Sequence, residues 1–416
     1  MGVSSKKTIS VIGLGYVGLT TAVGFGLKGY KIIGVDLDKE VIAKINRGLS
    51  PIYEEGMEEA LQDVEVTATL DYGEVLGSDI SFLCVHTPAN SDGSVNLDYL
   101  RGAVLQLVDT LQAKEGPHLM VIRSTVVPGT TEGVLLPLIK DRPNLQICVN
   151  PEFLREGKAL NDFMNPSRII IGENNAQAGD WLYEMYQSFN CPILRTDLKT
   201  AEMIKYASNA FLATRISFIN ELGNICKKLG IDIYRVAEGM GHDERIGKSY
   251  LAAGIGFGGS CLSKDLEALM AQSRSLGYEP GILREVHRLN QEQPRRLIEL
   301  LKKHLSPKGK TVGILGLAFK PGTDDVRESR AIPVVEALLQ EEARIKAYDP
   351  KAIPHFKRLF PRIEYATLEE VLKSDAIIIL TEWPEFERVD YKGKVVIDGR
   401  RLSKAKEASV YEGICW

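Results

Sequence analysis

Cysteine is scarce and scattered: Cys84, Cys148, Cys191, Cys226, Cys261 and Cys415 include no CxxC pair. That spacing argues against a zinc cluster and a redox dithiol, and it suits a reduced, cytoplasmic setting. No apolar run reaches the roughly 18 residues that a membrane span requires. The opening MGVSSKKTIS lacks a signal peptide's apolar core and leads directly into a strand-like run. A formal net charge of −4 gives no global pull toward nucleic acid or anionic membrane, so phosphate recognition must come from local sites. Nucleic acid, membrane and a resident metal are therefore not expected as partners. Short repeats and low-complexity segments are also missing. What remains is ordinary globular composition, 44% hydrophobic and 25% charged, over 416 residues, enough for two or three domains.

From residue 7 to about 195, short β-branched apolar runs alternate with amphipathic stretches. Thr8–Ile12, Lys31–Val35, Ile80–Val85, Leu119–Ile122, Gln146–Val149 and Arg168–Ile171 read as strands. Strands alternating with helices imply a mainly parallel sheet covered on both faces. The texture then changes. Thr200 to Lys228 has Gly223 as its one interruption, with Met203, Ile204, Ala207, Phe211, Ile219 and Leu222 at helical spacing. Thr200 is the expected cap and Gly230 the expected stop. Plain packing and a dimer interface account for such a helix equally well. A second helical stretch covers about Ile282–Leu305, with Pro294 placed to break or kink it. After the linker Pro307-Lys308-Gly309 the strand pattern returns at Thr311–Leu315, Ile345–Ala347, Ala376–Leu380 and Val395–Ile397, with a helix near Ile332–Gln340. The expected fold class is α/β: two Rossmann-like doubly wound domains, 1–198 and 307–416, joined by a central helical dimerisation region, 199–306.

Between the first strand and the first helix lies Gly13-Leu14-Gly15-Tyr16-Val17-Gly18. The first glycine permits a tight turn, the second lets backbone approach a pyrophosphate, and the third packs helix on strand. The following helix start offers N–H groups and a positive dipole end to phosphates. The second strand ends in Asp36, placed to accept from a ribose diol and to repel a 2′-phosphate. NAD is expected rather than NADP. Later strands end in His86-Thr87-Pro88, Ser124-Thr125 and Asn150-Pro151-Glu152, where ligands of doubly wound sheets collect.

The strongest chemical signal is Gly256-Phe257-Gly258-Gly259-Ser260-Cys261-Leu262-Ser263-Lys264-Asp265. Glycines allow close approach of backbone to ligand, and a helix start near a lysine favours the thiolate of Cys261. Cys84, Cys148 and Cys226 read instead as buried and inert. Lys205 and Asn209 share one helix face at i, i+4; spacing leaves open whether that face meets ligand or solvent.

Taken in order, GLGYVGL, the HTP tip, STVVPGT, NPEFLREG, AEMIKYASNAFLA, ERIG, GFGGSCLSKD, GLAFKPGTDDVRES and DGR resemble the UDP-glucose/UDP-mannuronate dehydrogenase family, from about residue 8 to 401. The segment NPEFLREGKALNDFMNPSRIIIG is most similar to its UDP-glucose branch. The resemblance implies oxidation of the sugar's carbon 6 twice, alcohol to carboxylate, with two NAD. It implies Cys261 as covalent nucleophile through a thiohemiacetal and a thioester. It implies Lys205 as oxyanion stabiliser, Asn209 as substrate holder, Asp265 orienting Lys205 or a water, and Glu152 as general base with Thr125 holding a water. Implied cofactor contacts are Gly13 to Gly18, Asp36, Thr87, Thr125, Glu156, Lys264 and Arg327. Implied substrate contacts are Glu152, Phe153, Leu154, Lys205, Asn209, Arg245, the Gly254–Gly258 loop with Phe257, Phe319, Lys320 and Arg400. Arg245 would reach a neighbouring subunit, in a homodimer or higher oligomer. Three positions depart from the family pattern: His86-Thr87-Pro88 where small residues or proline are usual, Leu262-Ser263-Lys264 where Phe-Pro-Lys is common, and Val41 where a basic residue often stands.

Two other readings compete. A two-electron dehydrogenase of the 3-hydroxyacid type shares the fold but has no use for Cys261 in its glycine loop. A non-catalytic nucleotide-sugar-binding protein has no use for the set Glu152, Lys205, Asn209, Cys261 and Asp265. Within the covalent chemistry, another UDP-hexose or a UDP-N-acetylhexosamine is the alternative substrate.

Overall fold

The computed structural model describes residues 7–416. The chain divides into two compact units, one ending at Ala207 and the other spanning Ser208–Trp416.

The first unit is built on eight strands: β1 (Thr8–Ile12), β2 (Lys31–Val35), β3 (Val66–Thr69), β4 (Ile80–Leu83), β5 (His118–Ile122), β6 (Leu145–Val149), β7 (Ile169–Glu173) and β8 (Ile193–Asp197). They lie in the order β3-β2-β1-β4-β5-β6-β7-β8. All neighbours are parallel except β6 and β7, which pair antiparallel. Alternate residues of the central strands feed two separate cores. Ile9, Val11, Phe82, Leu119 and Val121 face one layer, and Ile12, Leu83, Met120 and Ile122 face the other. A sheet covered on both sides needs apolar residues at successive positions, which is why these strands read as near-continuous Ile, Leu and Val runs. Strand order reverses between β1 and β4, so the crevice of this sheet opens beyond their carboxyl ends.

The second unit carries six all-parallel strands: β9 (Thr311–Leu315), β10 (Arg344–Tyr348), β11 (Glu364–Tyr365), β12 (Ala376–Ile379), β13 (Val395–Asp398) and β14 (Val410–Gly413). Their order, β11-β10-β9-β12-β13-β14, repeats the order of the first six strands of the other sheet. Ile219, Leu251, Ile255, Leu297 and Leu301 share one core with Val312, Ile314, Val335 and Ile378.

Four strands escaped the sequence reading, β3, β8, β11 and β14, and several predicted ends shift by one or two residues. The long helix runs Leu198–Leu229, starting two residues before the expected Thr200. Thr200 is not its cap. The Asp197 carboxylate accepts from the Thr200 N–H at 2.9 Å and from its hydroxyl at 2.6 Å. At the other end Gly230 adopts φ 69°, and the Ile231 N–H closes onto the Cys226 carbonyl at 2.9 Å, a glycine stop of the predicted kind. The predicted helix over Ile282–Leu305 is two helices, Gly281–Glu292 and Arg295–Lys302, because Pro294 has no N–H to continue the first. Among the described residues no helix is long and apolar enough to cross a membrane.

Candidate active site

The nucleotide turn begins where β1 ends. Gly13 takes φ 86°, and a Cβ there would stand 3.1 Å from the Cys84 carbonyl oxygen. A Cβ on Gly18 would lie 1.7 Å from the Gly13 oxygen, so helix and strand meet at a distance only glycine allows. Gly15 differs: its Cβ would find nothing nearer than a His86 ring nitrogen at 4.0 Å. The space in front of Gly15 thus suits a ligand's backbone approach. No side chain caps the helix Tyr16–Leu27 that follows, which leaves its first turn to an anion. Asp36 accepts from the Leu14 N–H at 2.6 Å and the Asp38 N–H at 2.9 Å, and it is only partly buried. It therefore braces the glycine turn and keeps acceptor capacity for a diol. These features fit the pyrophosphate and ribose of NAD.

Two of the later tips are tied together. The Thr87 hydroxyl donates to the Thr125 carbonyl at 2.9 Å, and the Ser124 hydroxyl to that of Val85 at 2.7 Å. Tyr16 has a bracing role that spacing did not reveal. Its hydroxyl donates to Glu54 and accepts from the Gly157 N–H at 2.6 Å, while Glu54 also accepts from the Ala159 N–H at 2.6 Å. Glu54 thereby locks the nucleotide turn to the loop that bears Glu156. No motif flagged it; a buried glutamate between elements gives no pattern in sequence.

At the tip of β6, Glu152 is buried and its carboxylate pairs with the Lys205 ammonium at 2.9 Å, at 6% and 5% side-chain exposure. Lys205 also donates to the Glu152 carbonyl at 2.7 Å, and the Leu154 N–H donates to the carboxylate at 2.6 Å. Burial pushes the Glu152 carboxyl up, but the Lys205 charge and hydrogen bond, the Leu154 N–H and the Arg123 guanidinium outweigh it and the net direction is down. Phe153 lies beside these groups, its ring centre 3.8 Å from the Arg168 guanidinium and 5.6 Å from the Lys205 nitrogen.

The second unit presents the cysteine. Cys261 is exposed and stands at the N-cap of the helix Leu262–Ser275. Cys148 and Cys226 are buried and Cys84 half-buried, with burial pushing the Cys84 and Cys148 thiols up to about 12. Before Cys261 the loop is held by three buried amides. Asn220 accepts from the Gly254 N–H at 2.7 Å, Gln293 donates to the Gly254 carbonyl at 2.9 Å, and Asn290 both accepts from and donates to the Phe257 backbone at 2.8 and 3.0 Å. Nothing in the local sequence pattern pointed to these residues. Gly259 takes φ 86°, its N–H donates to the Arg327 carbonyl at 3.0 Å, and the Phe319 ring covers it. One turn into the helix, Asp265 is buried, accepting from the Asn209 amide at 2.7 Å and pairing with Lys264 at 2.8 Å. The resemblance gave Asp265 the task of orienting Lys205 or a water. Its oxygens engage Asn209 and Lys264, while Glu152 holds Lys205.

Around this loop, Arg400 donates to the Leu380 carbonyl at 2.8 Å and the Phe319 carbonyl at 3.2 Å, with Glu382 at 3.3 Å. Lys320 lies 5.5 Å above the Phe319 ring. Arg327 pairs with Asp325 at 2.6 Å. Arg245 stands apart, its side chain 89% exposed and paired with Asp243. Glu152 and Lys205 thus meet in the first unit, and Asn209, Cys261, Lys264 and Asp265 in the second.

Three stretches match domains described for one family, the UDP-glucose/GDP-mannose dehydrogenases: the NAD binding domain over residues 7–190, the central domain over 199–292 and the UDP binding domain over 313–405. A UDP-glucose 6-dehydrogenase of Haloferax volcanii is 42% identical, over 98% of this chain and 99% of its own. One of Bacillus subtilis is 40% identical, over 96% of this chain and 90% of its own. The solved structure of a UDP-glucose dehydrogenase from the archaeon Pyrobaculum islandicum superposes with a TM-score of 0.97 at 42% identity, covering 100% of this chain and 99% of that one. Fold, nucleotide turn and these likenesses define an NAD-dependent oxidoreductase. The chain belongs to the UDP-glucose/GDP-mannose dehydrogenase family.

Proposed function

We propose that the protein oxidises UDP-glucose at carbon 6 in two steps to UDP-glucuronate, with Cys261 as covalent nucleophile. The observation that carries the covalent part is Cys261 itself, an exposed cysteine at a helix start behind a glycine loop. A helix start favours the thiolate, and the glycines leave room for a sugar carbon to approach it. UDP-glucose is favoured over other nucleotide sugars by relatives of that name at 40–42% identity along the whole chain.

NAD, when bound, accepts one hydride from carbon 6 in each oxidation. In the first, the hydroxyl proton leaves through water to Glu152 as the carbon loses hydride, and Lys205 holds the developing O⁻ of the aldehyde. The Cys261 thiolate then adds to the carbonyl carbon as the C=O π bond opens, and the oxygen takes back the proton from Glu152 through water, giving a thiohemiacetal. Loss of its remaining C–H hydride and of its hydroxyl proton, which passes through Glu152 to bulk water, leaves a thioester. Glu152 activates a water held by Thr125; the C–S bond breaks, the thiolate returns, and the carboxylate departs. Asn209, fixed by Asp265, positions the sugar. Phe153, Leu154, the Gly254–Gly258 loop, Phe319, Lys320 and Arg400 form the substrate's remaining contacts, the cations facing its diphosphate. Thr87, Glu156, Lys264 and Arg327 complete those to the dinucleotide.

The proposal extends to a homodimer, with higher oligomers built from it, and to three functional segments at 1–198, 199–306 and 307–416. Phe211, Phe218, Ile225 and Leu229 form an exposed apolar row along the long helix, and such a row calls for a covering surface. Arg245, so exposed in the single chain, completes the partner's site in this reading. The proposal places the protein in the cytoplasm, a reducing setting that suits six scattered cysteines. The test counts NADH per acid formed across a panel of UDP-sugars, with Cys261→Ser beside the wild type. Two NADH per acid with UDP-glucose preferred, and full turnover lost by orders of magnitude in a variant that still binds nucleotide, is the expected result. One NADH, or near-normal turnover by Cys261→Ser, overturns the reading.

A further inference from the structure

Directly after β5, Arg123 is buried, 6% exposed, and no carboxylate pairs with it among the described residues. Its guanidinium donates to the Asn150 side-chain oxygen, and at 3.4 Å each to the Asn150 carbonyl and the Tyr186 hydroxyl. Its Nε has no hydrogen-bond partner, and the Phe163 ring lies 5.6 Å from its central carbon. A buried cation without a counter-ion costs several kcal/mol, so its presence needs a reason. Hydrogen bonding alone does not supply one. Asn150 is already satisfied without it, accepting from Tyr186 at 2.6 Å and donating to the Ile170 carbonyl at 2.8 Å.

Asn150 sits two residues before Glu152. The groups facing the Glu152 carboxylate are Lys205 from the long helix, Arg123 from the tip of β5, Cys84 from the tip of β4, and the Leu154 N–H of its own loop. Of these charges, Lys205 touches the carboxylate and Arg123 acts on it through space. The proposed chemistry asks Lys205 to turn toward a substrate oxyanion, which strips Glu152 of its contact partner at the moment it must remain ionised.

We propose that Arg123 is a positioning residue for Glu152. Through Asn150 it fixes the strand tip that carries the carboxylate, and its unpaired charge keeps that carboxylate ionised when Lys205 is drawn to substrate. The inference rests on the assignment of Glu152 as base and Lys205 as oxyanion stabiliser.

The test is the pH profile of turnover for the full-length enzyme with NAD and UDP-glucose, in wild type, Arg123→Gln, Arg123→Lys and Glu152→Gln. Gln keeps a donor for Asn150 and deletes the charge; Lys keeps the charge and alters the shape. Arg123→Gln is expected to move the acid limb up by about one pH unit, the size of shift a nearby opposite charge produces. Arg123→Lys is expected to leave the limb in place even where its maximal rate falls. An unmoved limb in Arg123→Gln, or equal movement in both variants, overturns the proposal. If Arg123→Gln does not fold, Arg123→Met carries the same comparison. Glu152→Gln separates the two assignments. Should the acid limb persist without Glu152, the base assignment fails and the proposal with it. Should the limb vanish there yet stay unmoved in the charge-deleted Arg123 variant, the proposal alone fails.

Discussion

Replacing Gly258 by alanine tests how closely the cysteine loop is fitted. A Cβ at this position would lie 2.3 Å from the Glu328 carbonyl oxygen, 3.0 Å from its carbon and 3.1 Å from the Phe319 Cβ. The obstacle is backbone, and it is held from behind: the buried Arg330 donates to that same oxygen at 3.0 and 3.1 Å. Glu328 already sits at φ 52°, so it has little freedom to swing aside. Relief therefore requires the loop itself to retreat by roughly 1 Å. Overpacking of this kind costs about 1–3 kcal/mol, which at ~2–4 °C per kcal/mol for a unit of this size gives a melting shift of several degrees. The kinetic effect should be larger, since a displacement of about 1 Å near the reacting atoms costs on the order of 100-fold in rate. Gly239→Ala is the control. Gly239 lies in the helix Ile233–Gly241, with nothing within 4 Å of its added Cβ, so alanine there should stabilise by about 0.5–1 kcal/mol and leave turnover alone. Thermal melts and kcat/KM for UDP-glucose on both variants decide the matter. A Gly258→Ala enzyme with wild-type melting and kcat/KM within twofold of normal would refute the fit.

Asp36→Ala should weaken NAD by about ten- to a hundredfold, the worth of ~1.5–3 kcal/mol of charge-assisted hydrogen bonding, and relax the rejection of NADP; an unchanged ratio of kcat/KM for the two cofactors counts against Asp36 as the ribose acid. His118, buried in β5 and touching the Ser81 hydroxyl at 2.7 Å, is pushed down to about 3, chiefly by burial. Its folded value is depressed, so the stability it confers is present above the ordinary histidine range and is lost as pH falls from about 6.5 toward 3. Urea denaturation across that window should show a stability slope that His118→Asn flattens, and equal slopes would refute it. Phe218→Asp, in the exposed row of the long helix, should convert the dimer to a monomer in sedimentation and lower activity; a dimer that survives the change moves the interface elsewhere.

Every strand of the two sheet interiors was legible, and the four that were missed are the four sheet edges. β3, β8, β11 and β14 each see solvent on one side, so VTAT, ILRTD, EY and VYEG carry too few apolar residues to stand out. The glycine turn, Asp36 and the Cys261 loop were legible because their chemistry demands particular residues at fixed spacing. The supports were not. Glu54, Arg123, Asn220, Asn290 and Gln293 act through contacts with residues 27 or more positions away, and such contacts leave no local period. Thr200 misled because a threonine three residues into a helix resembles a cap, whereas Asp197 does the capping from the last residue of β8.

The two sheets share one order over six strands, and the proposed function gives them different nucleotides. Each has a glycine just beyond its first strand, Gly13 at φ 86° and Gly316 at φ 96°, and an acid after its second, Asp36 and Asp349. In the second sheet that acid is spent on the fold. Asp349 is 2% exposed and accepts from the Leu317, Ala318, Lys351 and Ala352 N–H groups and the Trp383 indole at 2.7–3.0 Å. It has no acceptor capacity left for a ribose. The helix after Gly316 begins only at Ala331, fifteen residues later, where that of the first sheet begins three residues after Gly13. The chain inserts residues 316–330 there, with Phe319 and Lys320, while Arg400 follows β13. In the proposed function the first sheet recognises phosphate by backbone and helix dipole, and ribose by the Asp36 carboxylate. In the same proposal the second sheet, which matches a UDP binding domain, uses the side-chain cations Lys320 and Arg400 beside the Phe319 ring to hold a diphosphate by charge. On that proposal one strand order serves the dinucleotide in one unit and a nucleotide sugar in the other, with the acid open in the first and enclosed in the second.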